Sequence, residues 1–337
     1  MKVIQIREPK RSIEEAIRSL EVVEKPIPEP GRGQVLVKMA AAPCNPSDLL
    51  FLSGQYGVKK PYPAVPGWEG AGTVVKSGGG ALAWWLQGKR VACGGQTDLD
   101  GTWAEYYIAD AKSCVPLHDA VSFEQGATLL INPLTAVGMM EEALKGKHRA
   151  IIQNAALSQV GRLLRKLAEM EGMPIIDIVR RDEQVKQLEI EGAKHVLNSS
   201  DKSFVEHLQT LAEDLKATIA FDAVGGEMTG TLLNAMPEHS SIYVYGALAG
   251  KACGGVSPLS LIFQDKSVKG FWLTKWIKES GALGTYMATR KVQQLMGSGT
   301  FHTTISQTVG PDSWNEALLE YSQSMSSGKV ILAYNSQ

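Results

Sequence analysis

The sequence predicts an α/β protein of two domains, an irregular and mostly β lobe followed by a doubly wound parallel sheet. Three observations carry this. The chain has 337 residues, too many for one ordinary core and well suited to two. Residues 1–119 are dense in short β-type runs separated by turn residues. From residue 120 to 279 the texture changes to apolar runs alternating with helix-like segments, the pattern of strands joined by crossover helices.

In the first lobe, "GQVLVKMAAAP", "GAGTVV", "GKRVAC" and "TWAEYYIA" are each bounded by Gly, Pro or Asp and read as strands. "KSGGGALAWW" is the nearest thing to a linker and is too short to separate domains. Its two tryptophans, Trp84 and Trp85, fit an interface and a core equally well. In the second lobe, "RAIIQNA", "PIIDIVR", "HVLN", "ATIAFDAVG", "SIYVYGAL" and "SVKGFWLT" read as parallel strands. Between the first two lies "GRLLRKLAEMEG", with Leu163, Leu164, Leu167 and Ala168 on one helical face. The chain ends in "GKVILAY", which resembles the first lobe, so residues 280–337 are expected to return and complete it.

Composition excludes several classes of function. Thirty-four basic residues against 35 acidic ones leave a net charge of -1, so no global field favours nucleic acid or an anionic membrane. No apolar run reaches the ~18 residues of a spanning helix, and "MKVIQIREPK" lacks the apolar core of a signal peptide. The expectation is a cytoplasmic protein that starts at Met1 and binds a small molecule. Cys44, Cys93, Cys114 and Cys253 are scattered and read as buried, reduced thiols. The six histidines show no metal-binding spacing.

The stretch "IIQNAALSQVG", residues 151–161, stands where the first strand of the second lobe turns into its helix. In a doubly wound sheet that turn faces the ligand, and the helix N-terminus offers free N–H groups to a phosphate. Only one glycine, Gly161, is present, yet Ala155, Ala156 and Ser158 are small enough for close approach. Asn154 and Ser158 equally suit plain helix capping. About twenty residues on, the second strand ends in "IVRR", where an acid would select NAD and an Arg a 2'-phosphate. Arg180 and Arg181 therefore point to NADPH, with Asp177, inside the run, as the competing acid.

Taken together, "CNPSDLLFLSGQYG", "PAVPGWEGAGTVV", "GTWAEY", "INPLTAVGMM", "IIQNAALSQVG", "IIDIVRR", "GAKHVLN", "FDAVGG", "YGAL" and "GFWLTKWIKE" resemble the medium-chain dehydrogenase/reductase superfamily in sequence and order. The resemblance spans essentially the whole chain. It is nearest to the zinc-free mitochondrial-type trans-2-enoyl-thioester reductases, with quinone oxidoreductases next. It implies a GroES-like catalytic domain, residues 1–119 completed by 280–337, and a Rossmann NADPH-binding domain, residues 120–279. Zinc-dependent relatives use a Cys in "C..SD" and a His in "GHEG"; here Cys44 is kept but the second position is Trp68, so no metal is expected.

The resemblance also implies roles. Tyr56 in "SGQYG" matches the proton-donating phenol, whose reference pKa of about 10 keeps it protonated at neutral pH. Taken alone, it would read as a loop aromatic. Asn45 and Asp48 would shape the active-site loop, and Trp68 would wall the pocket. Asn154, Ser158, Gln159, Val160 and Gly161 would hold the pyrophosphate, although Leu157 and Gln159 depart from the family pattern and the Gln159 side chain could crowd it. Asn132 would contact the nicotinamide ribose region. Tyr245, Gly246, Ala247, Leu248, Phe271, Trp272 and Leu273 would run beside the nicotinamide, and Lys329 near the ribose phosphate. Read without the family, "GFWL" is a buried edge strand, while Lys59, Lys60 and the "SGK" turn are solvated charge. The implied reaction is NADPH-dependent reduction of an activated carbon–carbon double bond, on a 2-enoyl thioester of CoA or acyl carrier protein. The alternatives are an NADPH:quinone or alkenal oxidoreductase and a non-catalytic NADPH-binding protein. A homodimer is expected by analogy.

Overall fold

Residues 1–334, apart from Gln96 and Asp98, are described by a computed structural model. They divide into two compact units, Met1–Ile131 with Tyr286–Gln337, and Asn132–Thr285.

The first unit is built on the ten-residue strand Gln34–Pro43, which carries Val35, Val37 and Met39 into the core. It pairs antiparallel with Glu69–Ser77, with Tyr106–Asp110 and with the C-terminal strand Lys329–Ala333. The sheet runs Ile305–Val309, Lys329–Ala333, Gln34–Pro43, Glu69–Ser77, Arg90–Gly94 and Val115–Pro116. All four short runs quoted from the first lobe are thus strands, and "VILA" returns to them. Trp103 and Trp314, both fully buried, meet edge to face at 4.8 Å, and Trp103 Nε1 donates to the Pro43 carbonyl. Trp314 comes from the helix Trp314–Gln323. At about 1.5–3 kcal/mol per buried large side chain, such contacts fix the C-terminal segment to the first lobe.

The boundaries read from texture, 119/120 and 279/280, fall a little before those of the compact units. The helix Phe123–Ala127 packs on the strands Gln34–Pro43, Glu69–Ser77 and Arg90–Gly94, which keeps residues 120–131 with the first unit. A short helix in sequence does not announce which sheet it covers.

The second unit holds six parallel strands in the order His195–Asn198, Ile175–Val179, Ala150–Gln153, Ala217–Asp222, Ser241–Val244 and Ser267–Gly270. Strand direction of travel reverses between Ala150–Gln153 and Ala217–Asp222, the switch point at which such sheets bind ligands. Ala150–Gln153 and Ile175–Val179 are buried at every position, because helices cover both faces of a parallel sheet. The helix Gln159–Met170 buries Leu163, Leu164, Leu167 and Ala168, the face seen in the sequence.

Two expectations need correction here. "GFWL" is not a buried edge strand: the edge strand Ser267–Gly270 ends before Phe271 and is largely exposed, and Trp272 stands 49% exposed. Cys253 is not buried but exposed in the loop after Leu248, unlike Cys44, Cys93 and Cys114. Among the described residues no helix is long and apolar enough to cross a membrane.

Candidate active site

In the first unit, the strand Gln34–Pro43 runs through Cys44 and Asn45 into the helix Pro46–Leu52. Asn45 takes the extended N-cap conformation, and Pro46 at the first helical position suits the fixed φ of that turn. The Asn45 backbone N–H donates to Asp48 Oδ2 at 2.8 Å. Its side chain faces two charges, with Nδ2 donating to Glu69 Oε1 at 2.9 Å and Oδ1 accepting from Lys329 Nζ at 2.6 Å. The ammonium also donates to the Cys44 carbonyl at 3.2 Å and to the Tyr321 hydroxyl at 3.1 Å. Glu69 Oε2 accepts the N–H groups of Leu130 and Ile131 at 3.0 and 2.9 Å.

Asn45, Asp48, Glu69 and Lys329 are all buried. Burial pushes the Asp48 and Glu69 carboxyls each up to about 7, against the hydrogen bonds that Asn45 gives them and the pull of Lys329. Burial also lowers Lys329, while Cys44, Glu69 and Asp48 raise it. Lys329 and, toward Asp48, the buried Lys60 face two carboxyls in a dry site, where an unmatched charge is costly.

Tyr56 follows the helix through a turn at Gly54, whose φ of +70° favours glycine. It is half-buried, with its ring 5.3 Å from Trp68. Trp68 is 2% exposed, meets Phe51 edge-on at 5.3 Å and carries Lys60 Nζ 4.5 Å over its ring. Lys60 is therefore not solvated charge; it is buried and donates to the Val65 carbonyl at 3.1 Å. Lys59 is exposed. Lys329 likewise sits in no solvated turn, and its ammonium is committed to the Asn45 loop.

The donors here do not fit zinc. Burial holds the Cys44 thiol well above its ordinary value, the second ligand position is the Trp68 indole, and Glu69 and Asp48 are engaged by Asn45 and backbone amides. Among the described residues no group of three or more His, Cys, Asp or Glu is placed to hold a metal ion.

In the second unit, Asn154 follows the strand Ala150–Gln153 and is buried. Its Nδ2 donates to Asp222 Oδ1 at 2.6 Å, and its Oδ1 accepts the Ala223 N–H at 2.8 Å. Asp222 also accepts from the Val224 and Gly225 amides and from Thr229 Oγ1. Asn154 therefore ties the two strands that flank the switch point rather than capping the helix. Ser158 is the cap: its Oγ accepts from Gly161 N at 3.1 Å and is also hydrogen-bonded to the Tyr245 side chain. Gly161 has no room for a side chain, since a Cβ would stand 2.6 Å from the Ala156 carbonyl oxygen.

Leu157 is 3% exposed and packs with Ala156, Val179 and Leu188 under the helix, while small side chains, the half-buried Gln159 and Arg162, whose Nη1 donates to the Leu157 carbonyl at 2.6 Å, line the turn. Val160 is buried beneath it. These residues fit a dinucleotide pyrophosphate, with backbone N–H groups at the helix start and the Arg162 guanidinium beside the turn.

Arg180 and Arg181 are exposed at the end of the neighbouring strand Ile175–Val179, and among the described residues neither makes a salt bridge. Asp177 is buried within that strand, accepts from Gln153 Nε2 at 2.6 Å, and has its carboxyl raised to about 6 by burial. It lies below the strand end where a ribose would be met. The backbone N–H of Tyr245 donates to Asp222 O and that of Leu248 to Ala223 O, which places the "YGAL" loop beside the turn, with Ala247 and Leu248 exposed and Gly246 against Ala223. Asn132 is buried at the start of the helix Asn132–Lys145, and the Phe271 ring packs on Gly138 of that helix. Trp272 is exposed and Leu273 half-buried.

Sequence reasoning missed three residues that hold these arrangements: Glu69, Tyr321 and Asp222. Glu69 and Asp222 lie inside the quoted stretches "GWEG" and "FDAVGG", where an acid in an apolar run was the available signal. Tyr321 carried none.

Comparison with known proteins agrees with both units. Residues 31–119 match the Alcohol dehydrogenase GroES-like domain, and residues 160–289 match the family described as Zinc-binding dehydrogenase. The mitochondrial enoyl-[acyl-carrier-protein] reductase of Arabidopsis thaliana is 32% identical over 76% of this chain and 68% of its own length. A structure assigned as an NADPH:quinone reductase from Mesorhizobium loti superposes with a TM-score of 0.91 at 34% identity, covering 99% of this chain and 98% of that one. The mitochondrial 2-enoyl thioester reductase heterodimer of Candida tropicalis shares the fold, with a TM-score of 0.81 at 20% identity over 99% of both chains. With GroES-like and Rossmann units both present, the chain belongs to the medium-chain dehydrogenase/reductase superfamily of oxidoreductases, in the branch that contains mitochondrial enoyl-thioester reductases and NADPH:quinone reductases.

Proposed function

We propose that this protein is a zinc-independent, NADPH-dependent reductase of 2-enoyl thioesters carried on CoA or acyl carrier protein. The observation that carries the reading is Tyr56, a phenol held half-buried against Trp68, eleven positions after the Asn45 hub. Bound NADPH supplies a hydride to the β-carbon of the double bond. The Tyr56 hydroxyl donates a hydrogen bond to the thioester oxygen as negative charge grows there, and its proton passes to the α-carbon, the phenolate being reprotonated from water. Asn45, fixed between Glu69 and Lys329, holds the loop from which Tyr56 projects. Ser158, Gly161 and their neighbours receive the pyrophosphate, and Arg180 and Arg181 the 2'-phosphate. Asn132, the "YGAL" loop and Phe271–Leu273 line the nicotinamide. Lys329 acts by fixing the Asn45 loop.

The quinone reductase reading is favoured by the 34% identical Mesorhizobium structure. The two differ in what Tyr56 does: a quinone accepts hydride on an oxygen or ring carbon and needs no protonated α-carbon. Tyr56→Phe keeps the ring and removes only the hydroxyl. It should lower enoyl-thioester turnover by about 10²-fold or more with NADPH binding unchanged; unchanged turnover in folded protein would sink the assignment. We also place the protein in the cytoplasm as a homodimer, the exposed edge strand Ser267–Gly270 and the apolar side chains Leu259, Ile262 and Phe263 beside it supporting the pairing. A monomer in sedimentation velocity would contradict that.

A further inference from the structure

The helix Ala81–Leu86 has an unusual surface. Ala83 and Leu86 point into the first unit and are buried. Ala81, Leu82, Trp84 and Trp85 occupy the opposite face and are exposed, Trp84 at 75% and Trp85 at 53%. A helix that is apolar all round is expected to be covered on every side. Here one side has no cover within the first unit, and Val75, on the strand that leads to the helix, extends the patch.

The charges around the patch are of one sign in excess. From residue 70 to 97 the sequence contains Lys76, Lys89 and Arg90 and no Asp or Glu. Lys89 Nζ lies 4.1 Å over the Trp85 ring. Lys112 belongs to the short 3-10 turn Ala111–Ser113, which packs on the helix, and Arg32 to the turn Gly31–Gly33, whose Gly33 N–H bonds the Gly79 carbonyl. Arg32, Lys89 and Lys112 make no salt bridge among the described residues. The nearby acids are Glu29, which is paired with Lys76, and Asp110, whose carboxylate accepts the Lys112 N–H. Arg90 is turned inward, over Phe123 and against the Val121 carbonyl.

We propose that this face docks reversibly on an anionic lipid surface, with Trp84, Trp85 and Leu82 entering the headgroup region and Arg32, Lys89 and Lys112 meeting lipid phosphates. Indoles with an apolar body and a polar N–H belong at that depth, and adjacent cations add attraction to anionic lipid. A projecting tip suits a fluid surface, which needs no preformed pocket. A second copy of the chain fits poorly, because a twofold contact would set the same cations against each other. The patch is also remote from the chemistry within its own unit. Glu69 and Ser77 end the same nine-residue strand, roughly 26 Å apart at about 3.3 Å per residue, and the helix follows Ser77. The whole-chain charge of -1, from which no membrane attraction is expected, conceals this local excess. The proposal does not depend on the substrate assigned to the protein.

The test is cosedimentation of the full chain with vesicles of two parts phosphatidylcholine to one part phosphatidylglycerol, and with phosphatidylcholine alone, at low and high salt. The expected result is binding to the anionic vesicles that falls about tenfold or more without phosphatidylglycerol, with added salt, or in Lys89→Glu/Lys112→Glu. The Trp84→Ser/Trp85→Ser variant should lose binding while keeping wild-type thermal stability and reductase turnover in solution. No binding by the wild type, or equal binding by the tryptophan variant, overturns the proposal. So does loss of an oligomer in the tryptophan variant, which would assign the patch to a second copy, or tryptophan-dependent binding of an acidic polypeptide without vesicle binding, which would assign it to a protein.

Discussion

Asn45 shows how much a single side chain can organise. Its amide stands between a buried carboxylate and a buried ammonium, and its backbone N–H is taken by Asp48. The Asp48 carboxyl is raised from 3.8 to about 7, chiefly by burial. Between about pH 4 and pH 7 the folded state therefore holds a proton that the unfolded chain has released, and stability falls as pH rises through that window. Glu69, raised from 4.5 to about 7, acts in the same direction. Asp48→Asn keeps an acceptor for the Asn45 N–H and removes one of the two titrations. Its thermal midpoint should vary less than that of the wild type from about pH 5 to about pH 8, by a few degrees if the group contributes about 1 kcal/mol. Identical pH profiles would show that Asp48 does not titrate there. Asn45 and Asp48 were visible in the sequence through "CNPSDLL", but Lys329, which bonds Asn45, and Tyr321, which bonds Lys329, lie almost 300 residues further on, and no local pattern links them. Leu157 gives the opposite lesson. It departs from the family pattern, and the turn directs it into the core beside Val179 and Leu188.

At the scale of elements, the parallel strands were the most legible part of the sequence. The inner strands Ala150–Gln153 and Ile175–Val179 are buried by helices on both faces, so their apolar runs are continuous and stand out from the charged helices between. The helix Phe123–Ala127 and the end of the edge strand Ser267–Gly270 were not legible, because the side of a sheet that a segment covers is set by tertiary packing. The junction of the strand Ile175–Val179 with the helix Asp182–Ile190 carries its own prediction. Arg180 and Arg181 stand exposed there, and the acid that could select NADH is buried inside the strand. Replacing both arginines with Ala should raise the KM for NADPH about tenfold or more, near 1.4 kcal/mol, and leave that for NADH unchanged. Equal effects on both nucleotides, or none, would remove the arginines from 2'-phosphate recognition.

At the scale of the whole molecule, composition was informative about class and silent about surface. Near-zero net charge and scattered cysteines suited an oxidoreductase that binds small molecules, yet the same totals hid a cationic, tryptophan-bearing face on the first unit. The GroES-like and Rossmann units are both reproduced in relatives named for two different substrates, so fold cannot choose between them. Substrate preference is the central claim, and the most direct measurement is NADPH oxidation by the wild-type protein on addition of crotonyl-CoA, a longer enoyl-CoA or a quinone, repeated with NADH. The account predicts turnover of the enoyl thioesters with NADPH well above that with NADH and well above that of the quinone. Turnover of the quinone alone, or nucleotide binding with no oxidation by any of them, would contradict it.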